Sequence, residues 1–317
     1  MDRIVRQSKV DILAPTLFHQ SWWLEIATGG RFGMVECKHS GRLVGRMPFF
    51  LRSKFGYTIS WKPPLTHFIG PAVDEGEGGA NTRFSQRLMI TRELIAQLPP
   101  ATFFSQKLHR GITEVLAFQM EGYDASVQFT HEIAAQPEAV TWSRLRDKTR
   151  NMVRKADRHF ECVTLDDPDL FLRIYIDNMN AQRTVSDHNI PIYRALIAAC
   201  LARDSGRIYA ARESDGTIAA AVFCAWDGSS SYYLMSTRTL GGGNSATTFL
   251  LWNAIKDAAA RGFIFDFDGV ASAGAVMFYA GFGATIQPRY IVSKSRKFFH
   301  VFKAMQRMVE KDQTRFF

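Results

Sequence analysis

The stretch Gly262-Phe-Ile-Phe-Asp-Phe-Asp-Gly-Val-Ala-Ser-Ala-Gly-Ala-Val-Met-Phe-Tyr-Ala-Gly-Phe-Gly-Ala284 decides the fold. Phe263 to Phe267 reads as a short buried strand, because aromatic and β-branched residues fill it and Gly262 and Gly269 bound it. Asp266 and Asp268 stand at its carboxyl end, two residues apart, and are expected to project from one face. A short helix over 273–280 follows, with Gly281 and Gly283 as its stop signals. A strand ending in acids and turning into a helix belongs to an α/β sheet, where sites gather at the carboxyl ends of strands.

Asp266-Phe-Asp-Gly followed by Phe278-Tyr-Ala-Gly-Phe-Gly-Ala resembles the signature of bacterial FemAB-like N-acyltransferases, which are built on the GNAT (N-acetyltransferase) fold. The resemblance covers most of the chain and extends to Phe18-His19-Gln20 with Trp23 near the amino end. It implies two GNAT-like halves in tandem, with mixed, mostly antiparallel sheets flanked by helices. Ala134 to Glu138 is the best break between them, giving an N-terminal half over 1–137 and an acyltransferase half over 138–317.

Working outward, Ser40-Gly41 marks a hairpin between strands at 32–38 and 43–51, and Asp215-Gly216 another between 207–212 and 217–226. Strands are also expected at 57–61, 101–108, 115–120 and 126–133. Helices are expected at 84–98, 142–158, 169–182, 191–203 and 246–261. His67, after Pro63-Pro64, reads as a surface-loop histidine or as part of a rigid cleft wall.

Arg238-Thr-Leu-Gly-Gly-Gly243 falls between an expected strand and helix and fits R/Q-x-x-G-x-G/A, the pyrophosphate loop of acyl-CoA-dependent GNAT enzymes. Glycines let backbone N–H groups approach a diphosphate, and the next helix offers its positive end. Arg238, Gly241, Gly242 and Gly243 would bind the cofactor, with Asn244 or Ser245 as N-cap. A flexible turn is the alternative. The loop points to acyl-CoA, acetyl-CoA or longer, as co-substrate.

The run 142–158 resembles the K-x-R-x-x-I-R-K-A helix of the same family. Seven basic side chains against two acidic ones are too unbalanced for pairing along the helix. Lys148, Arg150, Arg154 and Lys155 are expected to meet phosphates of a donor or acceptor, or else to form a solvated face. His188, in a polar loop, is a further candidate for the acceptor pocket.

An attacking amine must lose a proton, so Asp268 is the expected base and Asp266 the residue holding local geometry. Helix capping or pairing with the basic run is the alternative. Tyr279 stands where aminoacyl-tRNA-dependent Fem enzymes normally have lysine. It is read as a general acid towards a leaving thiolate, or as a core tyrosine.

A hydrophobic fraction of 46% is that of a globular chain, and a net charge of +9 favours anionic partners. No apolar run approaches the ~18 residues of a membrane span. Four scattered cysteines read as reduced thiols, so the expected compartment is cytoplasmic. The basic amphipathic tail 297–308 would pack on the body or lie on the inner membrane face. No metal constellation, Walker loop or Ser-His-Asp order stands out.

The resulting expectation is an N-acyltransferase acting from acyl-CoA on the amine of an amino sugar or amino acid in envelope or exopolysaccharide assembly. The acceptor would be an anionic, nucleotide-linked or lipid-linked amine. The alternatives are a Fem-type enzyme using aminoacyl-tRNA on a peptidoglycan-like precursor, and a ligand-binding protein without catalysis.

Overall fold

The computed structural model describes residues 11–54, 56–181, 189–239, 243–269 and 272–295. Contacts group them into two compact mixed α/β units. The described part of unit 1 is 11–128 with 288–295; that of unit 2 is 129–181, 189–239, 243–269 and 272–287. The chain passes between units within two strands, whereas the sequence suggested one break at 134–138.

Unit 1 starts with a single 3-10 turn, Leu17–His19, and helix α1 (Ser21–Thr28). Strands β1 (Phe32–His39) and β2 (Arg42–Lys54) form an antiparallel hairpin. Its turn residues Ser40 and Gly41 have φ of +50° and +79°, as the tight turn requires. β3 (Tyr57–Ser60) and β4 (Ala72–Val73) both pair with β2, and helix α2 (Ala80–Ala96) buries Ile90, Leu94 and Ile95. β5 (Phe103–Lys107) lies parallel to β3. Residues 115–120, expected as a strand, form helix α3 (Leu116–Met120) instead. Ala117 and Phe118 are buried while Leu116 and Met120 are exposed, a helical pattern that so short an apolar run does not announce.

Strand β6 (Asp124–Ile133) leads into unit 2. The expected helix 142–158 is two helices, α4 (Glu138–Arg144) and α5 (Asp147–Ala156), because Leu145 and Arg146 take extended ψ angles of 140° and 148°. Then come β7 (Glu161–Leu165), α6 (Pro168–Ala181), α7 (Ile190–Ala202), β8 (Gly206–Arg212), β9 (Ile218–Trp226) and β10 (Ser230–Arg238). Helix α8 (Asn244–Ala260), β11 (Ile264–Asp266), α9 (Ala273–Ala280) and β12 (Thr285–Ser295) complete the order. β12 carries the chain back to unit 1, where it pairs antiparallel with β5.

The sheet of unit 2 runs β6-β11-β10-β9-β8-β7, parallel only between β10 and β11. β9 is buried from Ala219 to Trp226, since a central strand covered on both faces has no polar side to show. Phe249, Leu250, Leu251 and Ile255 of α8 are buried with it, each worth about 1.5–3 kcal/mol. Leu250→Ala would cost roughly 2–5 kcal/mol. No described helix is long and apolar enough to cross a membrane.

Candidate active site

The site is built where β10 and β11 part. They pair only over 230–232 and 264–266, after which β11 stops while β10 runs on to Arg238. A bulge just past the parting leaves Leu234 without a register partner on β9. Bulges of this kind re-aim backbone groups beside sites.

Asp266 ends β11, fully buried. It accepts hydrogen bonds from Thr130 Oγ1 at 2.7 Å and from the Asp268 N–H at 2.8 Å, while Gly269 N–H donates to Thr130 Oγ1 at 2.8 Å. The carboxylate therefore ties the strand end to β6. Asp268 has a φ of +55°, so strand alternation has stopped and the expectation that both acids share a strand face fails. Asp268 is half-buried.

Helix α9 covers the expected 273–280, with Ser272 as N-cap accepting from Ala275 N–H at 3.1 Å. On it, the Tyr279 ring stacks on Phe267, centroids 4.5 Å apart, and meets Tyr233 at 6.3 Å and His131 at 5.9 Å. Burial raises the pKa of Tyr279 far above the phenol range, and that of Tyr233 to about 12, so both hydroxyls keep their protons. Tyr233 donates to Ser236 Oγ at 2.6 Å.

His131 was missed in the sequence. It is 1% exposed, and neither ring nitrogen has a hydrogen-bond partner among the described residues. Burial lowers its pKa and favours the neutral ring. A polar residue inside an alternating strand was the available signal, but its face was unknown until β6 was seen beside β11. Phe267 N–H donates to the His131 carbonyl at 3.0 Å, and the ring lies against Tyr279.

The two stretches that carry the family resemblance fit each other. The α4–α5 break lets Arg146 N–H donate to Gly281 O at 2.9 Å. A Cβ on Gly281 would lie 2.6 Å from Thr149 Oγ1, and one on Gly283 would lie 2.8 Å from the Arg144 carbonyl. The glycines read as stop signals are thus also close-contact positions. Gly283 has the left-handed φ of +72°, whereas Gly281 at −62° stays helical.

The cations divide. Arg150 pairs with Asp147 and donates to the Ser143 carbonyl at 3.1 Å, closing the end of α4. Lys148, Arg154 and Lys155 are exposed, and the Arg154 guanidinium lies 5.5 Å from the Trp142 ring centroid. Of the glycine loop, Arg238, Gly243, Asn244 and Ser245 are described, while Gly241 and Gly242 lie outside the described residues, as do His188 and the tail 297–308. The N-cap of α8 is Gly243, with Asn244 as the first helical residue, so neither Asn244 nor Ser245 caps it. Arg238 instead hydrogen-bonds the Asn244 side chain. His67, expected on the surface, is 5% exposed, and its pKa falls well below the usual range through burial and then nearby lysines.

Residues 143–275 match the acetyltransferase (GNAT) domain family. No curated protein matches the chain in sequence. Among solved structures, FemX superposes with a TM-score of 0.62 at 12% identity, covering 85% of this chain and 90% of its own. The C-terminal domain of an Agrobacterium fabrum protein named for lysylphosphatidylglycerol synthesis gives 0.61 at 12%, covering 90% and 92%. L-PGS from Bacillus licheniformis gives 0.55 at 9%, covering 90% of each chain. At such identities the likeness is one of fold. The chain is thus similar to the acetyltransferase (GNAT) domain family over residues 143–275, within a fold like that of FemX.

Proposed function

We propose that this protein is an N-acyltransferase that takes an acyl group from acyl-CoA and places it on the amine of an amino sugar or amino acid of cell-envelope or polysaccharide assembly. The observation that carries this reading is the parting of β10 from β11 beside the Leu234 bulge, in the part that matches an acetyltransferase family. An extended thioester fits between two parted strands, and a bulged backbone N–H can donate to its carbonyl oxygen. Arg238 and the start of α8 would hold the diphosphate.

In the proposed step the amine nitrogen attacks the thioester carbonyl carbon. The new N–C bond forms, the C–S bond breaks, and the sulfur leaves with the bonding pair. Asp268 takes the amine proton. The Tyr279 O–H, which keeps its proton, donates a hydrogen bond to the departing thiolate, which is then protonated from solvent. Asp266 keeps the turn that carries Asp268 in place. Neutral His131 offers one donor and one acceptor for orienting the amine.

The second reading is an aminoacyl-tRNA donor, favoured by the exposed cations Lys148, Arg154 and Lys155. Thermal-shift titration of the full chain with acetyl-CoA, longer acyl-CoAs and aminoacyl-tRNA decides between them. Saturable stabilisation by a CoA thioester alone supports the first reading; stabilisation by aminoacyl-tRNA alone replaces it. If neither donor stabilises the chain, the reading as a transferase is wrong.

A further inference from the structure

A second cluster of reactive side chains lies in unit 1. Cys37 and His39 come from β1, and Glu93 from the last turn of α2. The Cys37 thiol donates to Glu93 Oε2 at 2.9 Å and lies 3.5 Å from His39 Nε2, which is 3.3 Å from Glu93 Oε2. The three side chains are one another's hydrogen-bond partners. Opposite the Cys37–Lys38 step the hairpin register skips Val44, a bulge that bends the ladder at this point.

We propose that Cys37, His39 and Glu93 form a binding site for a zinc-like divalent transition-metal ion. Sulfur, imidazole and carboxylate together are a zinc-type donor set, whereas Mg²⁺ and Ca²⁺ ask for oxygen ligands. The spacing fits as well as the chemistry. With ordinary bond lengths, a tetrahedral zinc ion has S···N and N···O edges of about 3.5 and 3.3 Å. The observed separations are 3.5 and 3.3 Å. Only the S···O edge is shorter, at 2.9 Å, where the thiol proton bridges the two atoms. The ion would replace that proton, which leaves to solvent, and no oxidation state changes.

Access and support are both present. Cys37 is 2% exposed, while the His39 and Glu93 side chains are 46% and 47% exposed, so the ion enters from solvent and keeps a water as fourth ligand. An ion held there pins β1 to α2 and acts as a clasp within unit 1. The sequence could not announce it: Cys37-x-His39 is too short a pattern, and the third ligand comes from a distant helix.

The test uses the full chain after dialysis against EDTA. Zn²⁺ is titrated against a chromophoric chelator, and Co²⁺ is followed spectroscopically. The site predicts one equivalent bound, tetrahedral Co²⁺ d–d bands and a sulfur-to-cobalt charge-transfer band, with a higher Tm on adding Zn²⁺. Cys37→Ser should remove the charge-transfer band. His39→Gln, on the exposed side where folding is not at risk, should weaken binding by at least the ~10–100-fold that loss of even an outer partner costs. Absence of stoichiometric binding, binding without a thiolate band, or equal affinity in His39→Gln would each overturn the proposal and leave a hydrogen-bonded thiol.

Discussion

His19 and His109 in unit 1 are buried and hydrogen-bonded at every ring nitrogen. His19 accepts from Thr16 Oγ1 at 2.7 Å and donates to the Gly70 carbonyl at 3.2 Å. His109 donates to the Pro71 carbonyl at 2.9 Å and accepts from Gly111 N–H at 3.1 Å. His131 in unit 2 is as deeply buried and has no such partner among the described residues. A buried ring with both nitrogens satisfied locks a loop. A buried ring with neither satisfied costs stability in the free protein, and such groups persist where a ligand completes them. The contrast separates two histidines that hold structure from one whose ring nitrogens hold none among the described residues.

The largest effect is expected at Asp268. Asp268→Asn should lower turnover by about 10²–10⁴-fold, the usual contribution of a general base, with donor binding unchanged. Asp266→Asn should show mainly in stability, at about 1–3 kcal/mol, because the hydrogen bonds from Thr130 and the Asp268 N–H lose their charged acceptor. Steady-state kinetics across pH, beside thermal melts, separate the two acids. Near-normal turnover in Asp268→Asn combined with a dead His131→Phe would move the base to His131.

The histidines themselves give the next test. His109→Phe should cost roughly 2–5 kcal/mol by leaving the Pro71 carbonyl and the Gly111 N–H unpaired. His131→Phe should be neutral or stabilising within about 0.5 kcal/mol, since it removes two unsatisfied nitrogens, yet transfer should fall. Equal destabilisation by both changes, measured by urea unfolding, would erase the distinction.

Much of this was legible in the sequence, and the reasons differ by element. Helix 273–280 was readable because Ser272 and the glycine stops punctuate it, and both hairpins because their turn residues need positive φ. The break at Leu145-Arg146 was not, because apolar spacing continues through it and only the docking of Gly281 and Gly283 forces it. His131 was hidden because alternation along β6 does not say which face its neighbours leave unsatisfied. The Cys37–His39–Glu93 cluster was hidden by chain distance alone.

Acid should act on the clasped histidines. Burial, with the neighbouring ring, lowers His19 to about 3, and burial lowers His109 to about 4, against 6.5 when unfolded. Their folded pKa values lie below the unfolded one, so the unfolded chain takes up more protons as pH drops. The stabilising contribution is full above pH 6.5 and is lost as pH falls towards 4, by about 2 kcal/mol per histidine at pH 5. Thermal melts from pH 7 to 4.5 should show this fall, and His109→Phe should flatten it. A wild-type Tm independent of pH in this window would contradict the assignment of neutral, buried rings.

The smallest effects belong to the cations. Exchanging Lys148, Arg154 and Lys155 for glutamine should change stability by no more than about 0.5 kcal/mol while flattening the salt dependence of ligand binding. Arg150→Gln should cost about 1 kcal/mol, because it bonds the end of α4. Matched melts and binding isotherms at two salt concentrations read both.

The most direct measurement is calorimetric titration of acetyl-CoA into the full chain and into Gly243→Val. Gly243 has a φ of −73°, and among the described residues the nearest atom to an added Cβ is Ser245 Oγ at 3.6 Å, so the valine protein should fold, with a Tm lowered only by the poorer N-cap. The account predicts saturable 1:1 binding to the wild type and its loss in the variant, where the side chain fills the space a diphosphate needs. Absence of saturable binding to the wild type, or equal affinity in the variant, would contradict it.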